Sequence, residues 1–335
     1  MTYTILSKYR SELMGGAMLW VMLFHAADLD MCLQVLELFR AAGFGGVDIF
    51  ILLSAMGLSM SLSKKEQDYA AFMARRAGRL LPAYYAVMLP YTLFLILAQD
   101  VPWSALIWNS SLLYYWVRSA GGFNWYVAGA MTFYAVTPLC LRALRSSTHR
   151  VALTAAGIGA SLLACQLLVQ EGYWYVTDFF YRVPVFFLGL LIGLYAGEQR
   201  QLGRADVRVW AASLGLGAIY LIIHFTENTP ILFPLCHLFL FTTVPLCLLA
   251  CLCFEWLPLG WLQRFLRLVG KHSLEIYLLN VSVFSQTELL RRVVYFGPSN
   301  RIYFLFLFAA NITLGVGLHR AIARLRRNKQ PEIII

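Results

Sequence analysis

Runs of about twenty mostly apolar residues recur along this chain, each as long as the helix needed to cross the hydrocarbon core of a bilayer. They fall at approximately 11–28, 43–62, 80–98, 125–143, 150–169, 180–197, 207–225, 231–254, 271–289 and 302–320. Backbone groups find no water in a bilayer, so such segments fold as helices that satisfy their own hydrogen bonds. The sequence therefore predicts an all-α, polytopic integral membrane helical bundle of about ten transmembrane helices. We read residues 1–335 as one domain with no soluble domain attached. Composition agrees, since 60% of the 335 residues are apolar and only 13% charged, whereas soluble domains sit near half and a quarter. The first run begins at Leu13, contains His25 and lacks a small-residue cleavage site behind it, so it reads as a span and not as a removable leader. The stretch 101–117, with Trp103, Trp108, Tyr114, Tyr115 and Trp116, is short and aromatic and reads as an interfacial or re-entrant piece.

Basic residues supply the orientation, because Lys and Arg are retained on the cytoplasmic side. With the N-terminus inside, 21 of the 27 basic residues fall on one side. They lie at Lys8 and Arg10, from Lys64 to Arg79, from Arg142 to Arg150, from Arg200 to Arg208, from Arg264 to Lys271, and from Arg320 to Lys329. The other side keeps Arg40, Arg118, Arg182, Arg291, Arg292 and Arg301, alongside Asp28, Asp30, Glu37, Asp100, Glu171, Asp178 and Glu227. Both termini are thus expected in the cytoplasm, and the net charge of +10 reads as topology. Spread over six flanks, it does not form a nucleic-acid surface. The seven cysteines mostly sit inside the apolar runs and read as small buried residues. Cys247, Cys251 and Cys253 have a helical spacing but no local His or carboxylate beside them, so no metal site is expected.

Ionisable residues are costly in a membrane and mark sites. His25 lies near the outer end of the first run, where an interfacial role at the negative end of its helix and a catalytic role both fit. Asp48, in GFGGVDIFILLS, is expected at the same depth; a carboxylate beside an imidazole fixes its tautomer, as a general base requires. In RRAGRLLPAYY, Arg75 and Arg79 share a helix face and Arg76 flanks them; retention of positive charge explains the cluster, and so does a clamp for phosphates. Arg182 opens a span where an acidic neighbour or an anionic sugar group would be its partner. Glu275 and Asn280 lie inside the ninth run, and His224 and His237 could line a polar cavity or bond between helices.

In this order, these strings resemble the membrane acyltransferase 3 family, which O-acylates carbohydrates and other hydroxyl or amine acceptors. The resemblance rests on the histidine closing the first run, GVDIF followed by LLS, RRAGRLLPAYY, WYVAGAMTFYAVTPL, the pattern from Arg182 to Gly189, and SLEIYLLN, and it extends from Tyr9 to about His319. It implies ten spans, His25 as catalytic histidine with Asp48 as motif aspartate, donor-side arginines Arg75, Arg76 and Arg79, acyl-CoA as donor and no metal. Many members carry Arg eleven residues before the histidine; here that position is Met14, and Arg10 one turn earlier reaches the same face. Ser54-Ala55 replaces a Ser-Gly pair. Asn280 stands where a His is frequent, and an amide cannot exchange a proton near neutral pH.

The expected activity is transfer of an acyl group, acetyl in the first instance, from acetyl-CoA to a hydroxyl of a cell-envelope or exported carbohydrate, in the plasma (inner) membrane. Arg10 joins the donor-side arginines, and Arg182, Glu275, Asn280 and Ser54 are the expected substrate-binding residues. Direct transfer and an acyl-enzyme route both stay open, with Ser54 as a nucleophile candidate by its nearness to the motif. A transporter of a small polar solute or glycan, using His25, Asp48 and Glu275 as a path, is the alternative.

Overall fold

The computed structural model describes residues 1–26, 29, 31–64, 67–117, 123–226, 237–257, 259–284 and 300–328. Asp28, Asp30, Lys65, Arg118, Glu227, Cys236, Arg291, Arg292 and Lys329, the end of the expected ninth span, and the side chains of His224 and Arg327 lie outside the described residues.

The chain opens with a single turn α1 (Ile5–Lys8), then α2 (Arg10–His25), α3 (Gln34–Ala41), a 3-10 turn at Ala42–Gly45, and α4 (Gly46–Lys64). A long α5 (Tyr69–Gln99) follows, then α6 (Ser104–Ser110), α7 (Tyr114–Val117), α8 (Trp125–Ser146) and α9 (Arg150–Gln170). The remainder is α10 (Thr177–Phe180), α11 (Val183–Gly197), α12 (Arg204–Thr226), α13 (Leu238–Trp256), α14 (Gly260–Lys271), α15 (Ser273–Leu279), a π-helical turn at Asn280–Phe284, and α16 (Asn300–Asn328). Eight helical stretches among the described residues are long and apolar enough to cross a membrane. The protein is an all-α membrane bundle.

Helix starts follow local chemistry. Asp68 accepts from the amide of Ala71 at 2.9 Å to open α5, and Asn124 accepts from Val127 at 3.1 Å to open α8. Because α5 is continuous over 31 residues, the arginines at 75–79 and the apolar run after them share one rod. At its far end, Asp100 turns the chain through a left-handed conformation (φ 52°). The aromatic stretch then forms α6 and α7, of seven and four residues, both too short to cross. Tyr84 and Tyr85 of α5 hold α6 by donating to the carbonyls of Asn109 and Ser110, each at 2.8 Å.

Besides the sixth, whose α11 has only fifteen residues and follows the short α10, two expected spans differ from plain twenty-residue rods. The first is α2, sixteen residues long. The ninth is divided among α14, α15 and the π turn, with the break at His272. In both regions, backbones approach closely at glycine. A Cβ on Gly15 would lie 2.0 Å from the carbonyl oxygen of Leu266, and one on Gly270 would lie 1.8 Å from that of Ser11. Across the bundle, α4 and α11 run parallel through Gly189 and Gly193. Gly189 sits on Leu52 and Ala55, and Gly193 on Met56 and Ser59. The spacing is that of small residues four apart, which lets membrane helices meet where lipid gives no hydrophobic drive. The hydroxyl of Ser59 adds a bond to the Leu190 carbonyl at 2.9 Å.

Prolines inside helices free carbonyls four residues earlier, and neighbouring helices supply donors to two of them. Pro245 frees Phe241, whose oxygen accepts from Ser213 of α12 at 2.8 Å. Pro82 frees Gly78, whose oxygen accepts from the guanidinium of Arg326 on α16.

The glycine contacts predict a selective cost. Gly193→Ala and Gly270→Ala should each destabilise the detergent-solubilised protein by about 1–3 kcal/mol. Gly16→Ala and Gly197→Ala, where an added Cβ meets nothing within 4 Å, should melt at or above the wild-type temperature. Equal melting of all four variants would refute the packing account.

Candidate active site

Register along the glycine contacts sets the depth of each functional side chain. Gly43 faces Trp20 and Phe24 of α2, while Gly46 faces Ala17 and Val21. The chain leading into α4 therefore runs antiparallel to α2, and Asp48 falls level with Ala17, about 12 Å below His25 at 1.5 Å per residue. This corrects the expectation that the two lie at one depth. No hydrogen bond or ion pair joins them among the described residues.

Asp48 instead meets Arg182, with 3.8 Å between Oδ2 and Nε and both side chains buried. Arg182 also donates from Nη1 to the carboxylate of Asp178 at 3.1 Å and to its carbonyl at 2.9 Å. Its guanidinium lies 4.9 Å from the Trp125 ring centre. Of the two partners expected for Arg182, the structure supplies the acidic one. The parallel seam of α4 and α11 causes this, since it brings the first turns of both helices to one level. Asp48 and Arg182 thus tie α4, α8 and α11 together.

The arginines expected on the donor side behave differently. A cavity of about 640 Å³ opens at the basic end of the bundle, and Arg10, Arg76, Arg79, Lys271 and Arg326 all line it. None of these five pairs with a carboxylate among the described residues. Nε of Arg10 is buried with no hydrogen-bond partner, and Gly57 leaves room beside its guanidinium, where a Cβ would sit 3.7 Å away. Met14, Ser54, Tyr126 and Tyr134 complete the inner wall. Arg75 is not part of this cavity. It is exposed and donates to Gln67, because successive helical residues point about 100° apart and Arg76 takes the inward direction.

Glu275 is the carboxylate of this lining, buried and accepting from Nδ1 of His319 at 2.9 Å. Lys271, His319 and Arg326 also line the cavity, and none of them is among the residues expected there from the sequence. Arg326 was absorbed into the positive flank after the last span. The spacing His319, Ile322, Arg326 on one helix face was a signal available to read.

His25 lies in a separate, much smaller cavity of about 10 Å³ with Met22, Ala26, Asn280, Phe304, Leu307 and Phe308. Nδ1 of His25 and Oδ1 of Asn280 are both buried without a hydrogen-bond partner. Asn280 opens the π turn, a geometry that recurs at functional sites. The two cavities share α2, α15 with its π turn, and α16. On α15, Tyr277 lines the large cavity and Asn280, one turn on, lines the small one. On α2, Met14 and His25 are eleven residues apart on one face, about 16 Å. Ser54 faces the cationic cavity, away from His25. His237 is buried against the ring of Tyr181, with centroids 5.1 Å apart, away from either cavity.

The position of Asp48 gives a test of its role. Asp48→Asn should lower thermal stability by about 1–3 kcal/mol, because Arg182 keeps only Asp178, and Asp48→Leu combined with Arg182→Met should recover much of that loss. An Asp48→Asn protein of unchanged stability and abolished activity would return Asp48 to the chemistry.

The chain also matches a known family. The acyltransferase 3 model, described as an acyltransferase domain, matches residues 15–320, nearly its whole length. No curated protein sequence and no solved structure matches it significantly. The matched segment contains His25, Asn280, Glu275 and every lining arginine except Arg10 and Arg326. The chain therefore belongs to the acyltransferase 3 family of membrane acyltransferases.

Proposed function

We propose that this membrane acyltransferase moves an acetyl group from acetyl-CoA to a hydroxyl of a cell-envelope or exported carbohydrate. The observation that carries the reading is the juxtaposition on α2 of a cavity with five cationic side chains and, three turns along the same helix face, an enclosed histidine. Five cations beside one carboxylate suit a polyanion such as the nucleotide of CoA, and arginine forks match phosphate geometry. The space at His25 is about that of a single water, so the thioester would enter only as neighbouring side chains move aside.

On this reading the nucleotide rests among Arg10, Arg76, Arg79, Lys271 and Arg326, and the thioester reaches His25. The neutral imidazole takes the proton of the acceptor hydroxyl as its oxygen attacks the thioester carbonyl. The carbon–sulfur bond breaks, and the imidazolium returns the proton to the departing thiolate, so the histidine ends as it began. Asn280 lies beside the ring and cannot exchange a proton with it. Asp48 and Arg182 act at a distance by fixing α4 and α11. The excess of basic residues at the large cavity's end supports a cytoplasmic donor side, with both termini cytoplasmic and His25 toward the opposite face of the plasma membrane.

Purified protein supplied with labelled acetyl-CoA and an envelope glycan tests this. His25→Ala should reduce transfer by roughly 10²–10⁴-fold while leaving CoA affinity within about twofold; full transfer by that variant would remove His25 from the mechanism. Arg79→Ala should raise KM for acetyl-CoA by about tenfold or more, the value of a charge-assisted bond, whereas Arg75→Ala should leave it near wild type. Equal effects at 75 and 79 would separate the cavity from donor binding. Transmembrane solute uptake without any CoA binding would favour transport instead.

A further inference from the structure

The stretch of α16 between the residues of the two cavities holds a polar side chain that the mechanism above does not use. Asn311 on α16 is 1% exposed, and both its amide nitrogen and its amide oxygen lack a hydrogen-bond partner. Leaving both polar atoms of a buried amide unpaired costs several kcal/mol in a medium of low polarity. Packing gives no reason to keep one, since Leu would fill similar space without the penalty.

Its position is defined from two directions. Along α16, one face carries Phe304 and Phe308 of the small cavity, then Asn311, then Gly315, then His319 and Arg326 of the large one. Across to α15, Gly315 packs against Ile276 and His319 bonds Glu275. The helices therefore run antiparallel, and Asn311 falls level with the π turn that begins at Asn280. On α2, Met18 is fully buried between Met14 of the large cavity and Met22 of the small one. Methionine has three rotatable bonds and no branching, so it is a side chain able to swing aside for a thin ligand.

We propose that Asn311 binds an amide of the pantetheine arm of the acyl donor as the arm passes from the cationic cavity to His25, with Met18 lying across its course. The inference rests on the acyl-CoA reading above. The arm carries two secondary amides, each with one N–H and one C=O, and Asn311 offers the complementary pair of one acceptor and one donor. In an apolar passage an unpaired amide on either side is heavily penalised, so the pairing also selects a pantetheine thioester over a plain alkyl one.

The test compares two ligands on purified wild-type and Asn311→Leu protein: CoA, and adenosine 3′,5′-bisphosphate, which has much of the nucleotide and none of the arm. Asn311→Leu should melt at or above the wild-type temperature, bind the bisphosphate unchanged and bind CoA about tenfold more weakly. Asn311→Ser, which keeps one hydroxyl, should show a smaller loss for CoA alone and serves if the Leu variant does not fold. Unchanged CoA affinity in both variants would overturn the proposal, as would an equal loss for both ligands, which would mean a deformed site. If wild-type protein bound neither ligand, the donor reading itself would fail and this inference with it.

Discussion

Backbone contact at glycine on two sides of α2 is the constraint on which the rest of the structure depends. Gly15 and Gly270 bring α14 against one side, and Gly43 and Gly46 bring the start of α4 against another. Held this way, α2 has one face left, and that face carries Arg10, Met14, Met18, Met22 and His25. The two cavities lie along it. Because lipid competes equally for apolar side chains, a membrane helix is fixed most firmly where small residues let main chains touch. A shift of α2 by one residue would turn this face by about 100° and separate its arginine from one cavity and its histidine from the other.

The same economy of small contacts explains the second shared feature, the parallel seam of α4 and α11. Once Gly189 and Gly193 seat α11 on α4, Arg182 arrives at the level of Asp48. An aspartate in a bilayer interior needs a partner, and the seam provides it. The expected motif aspartate, Asp48, thus contacts Arg182 and not His25, and the imidazole of His25 is left with an amide neighbour. On the mechanism proposed above, the histidine would act as a neutral base without a carboxylate behind it. A carboxylate-oriented histidine does exist in the molecule, at Glu275 and His319, but it belongs to the large cationic cavity.

Buried polar atoms are paired in some parts of the bundle and left without hydrogen-bond partners in others. Where the backbone is broken for structural reasons, the freed carbonyls are taken up: Phe241 by Ser213, and Gly78 by Arg326. Along the α2 face this does not happen. Arg10, His25, Asn280 and Asn311 each keep a buried polar atom unpaired. Buried polar groups are paired nearly everywhere in native proteins; further exceptions lie off this face, at Asp48 Oδ1, Thr92 and Thr154, and those between the two cavities fit the ligand course proposed above.

The residues alone determined a good deal. Ten apolar runs, the one-sided basic flanks, and the strings around His25, Asp48, the arginines and SLEIYLLN are local properties, because a bilayer imposes length, polarity and charge rules on each segment separately. They were enough for the all-α membrane class, the family and most of the arginine cluster. Depth and direction were not legible. Whether Asp48 faces His25 or Arg182, whether Arg75 or Arg76 points inward, and whether Lys271, His319 and Arg326 join Arg10 around one space depend on helix register and rotation. Those are decided by glycine contacts between segments distant in the chain, such as Gly270 on Ser11 and Gly189 on Leu52. No spacing within a single segment records them, so only the tertiary structure could decide which motif residues pair with one another and which line a cavity.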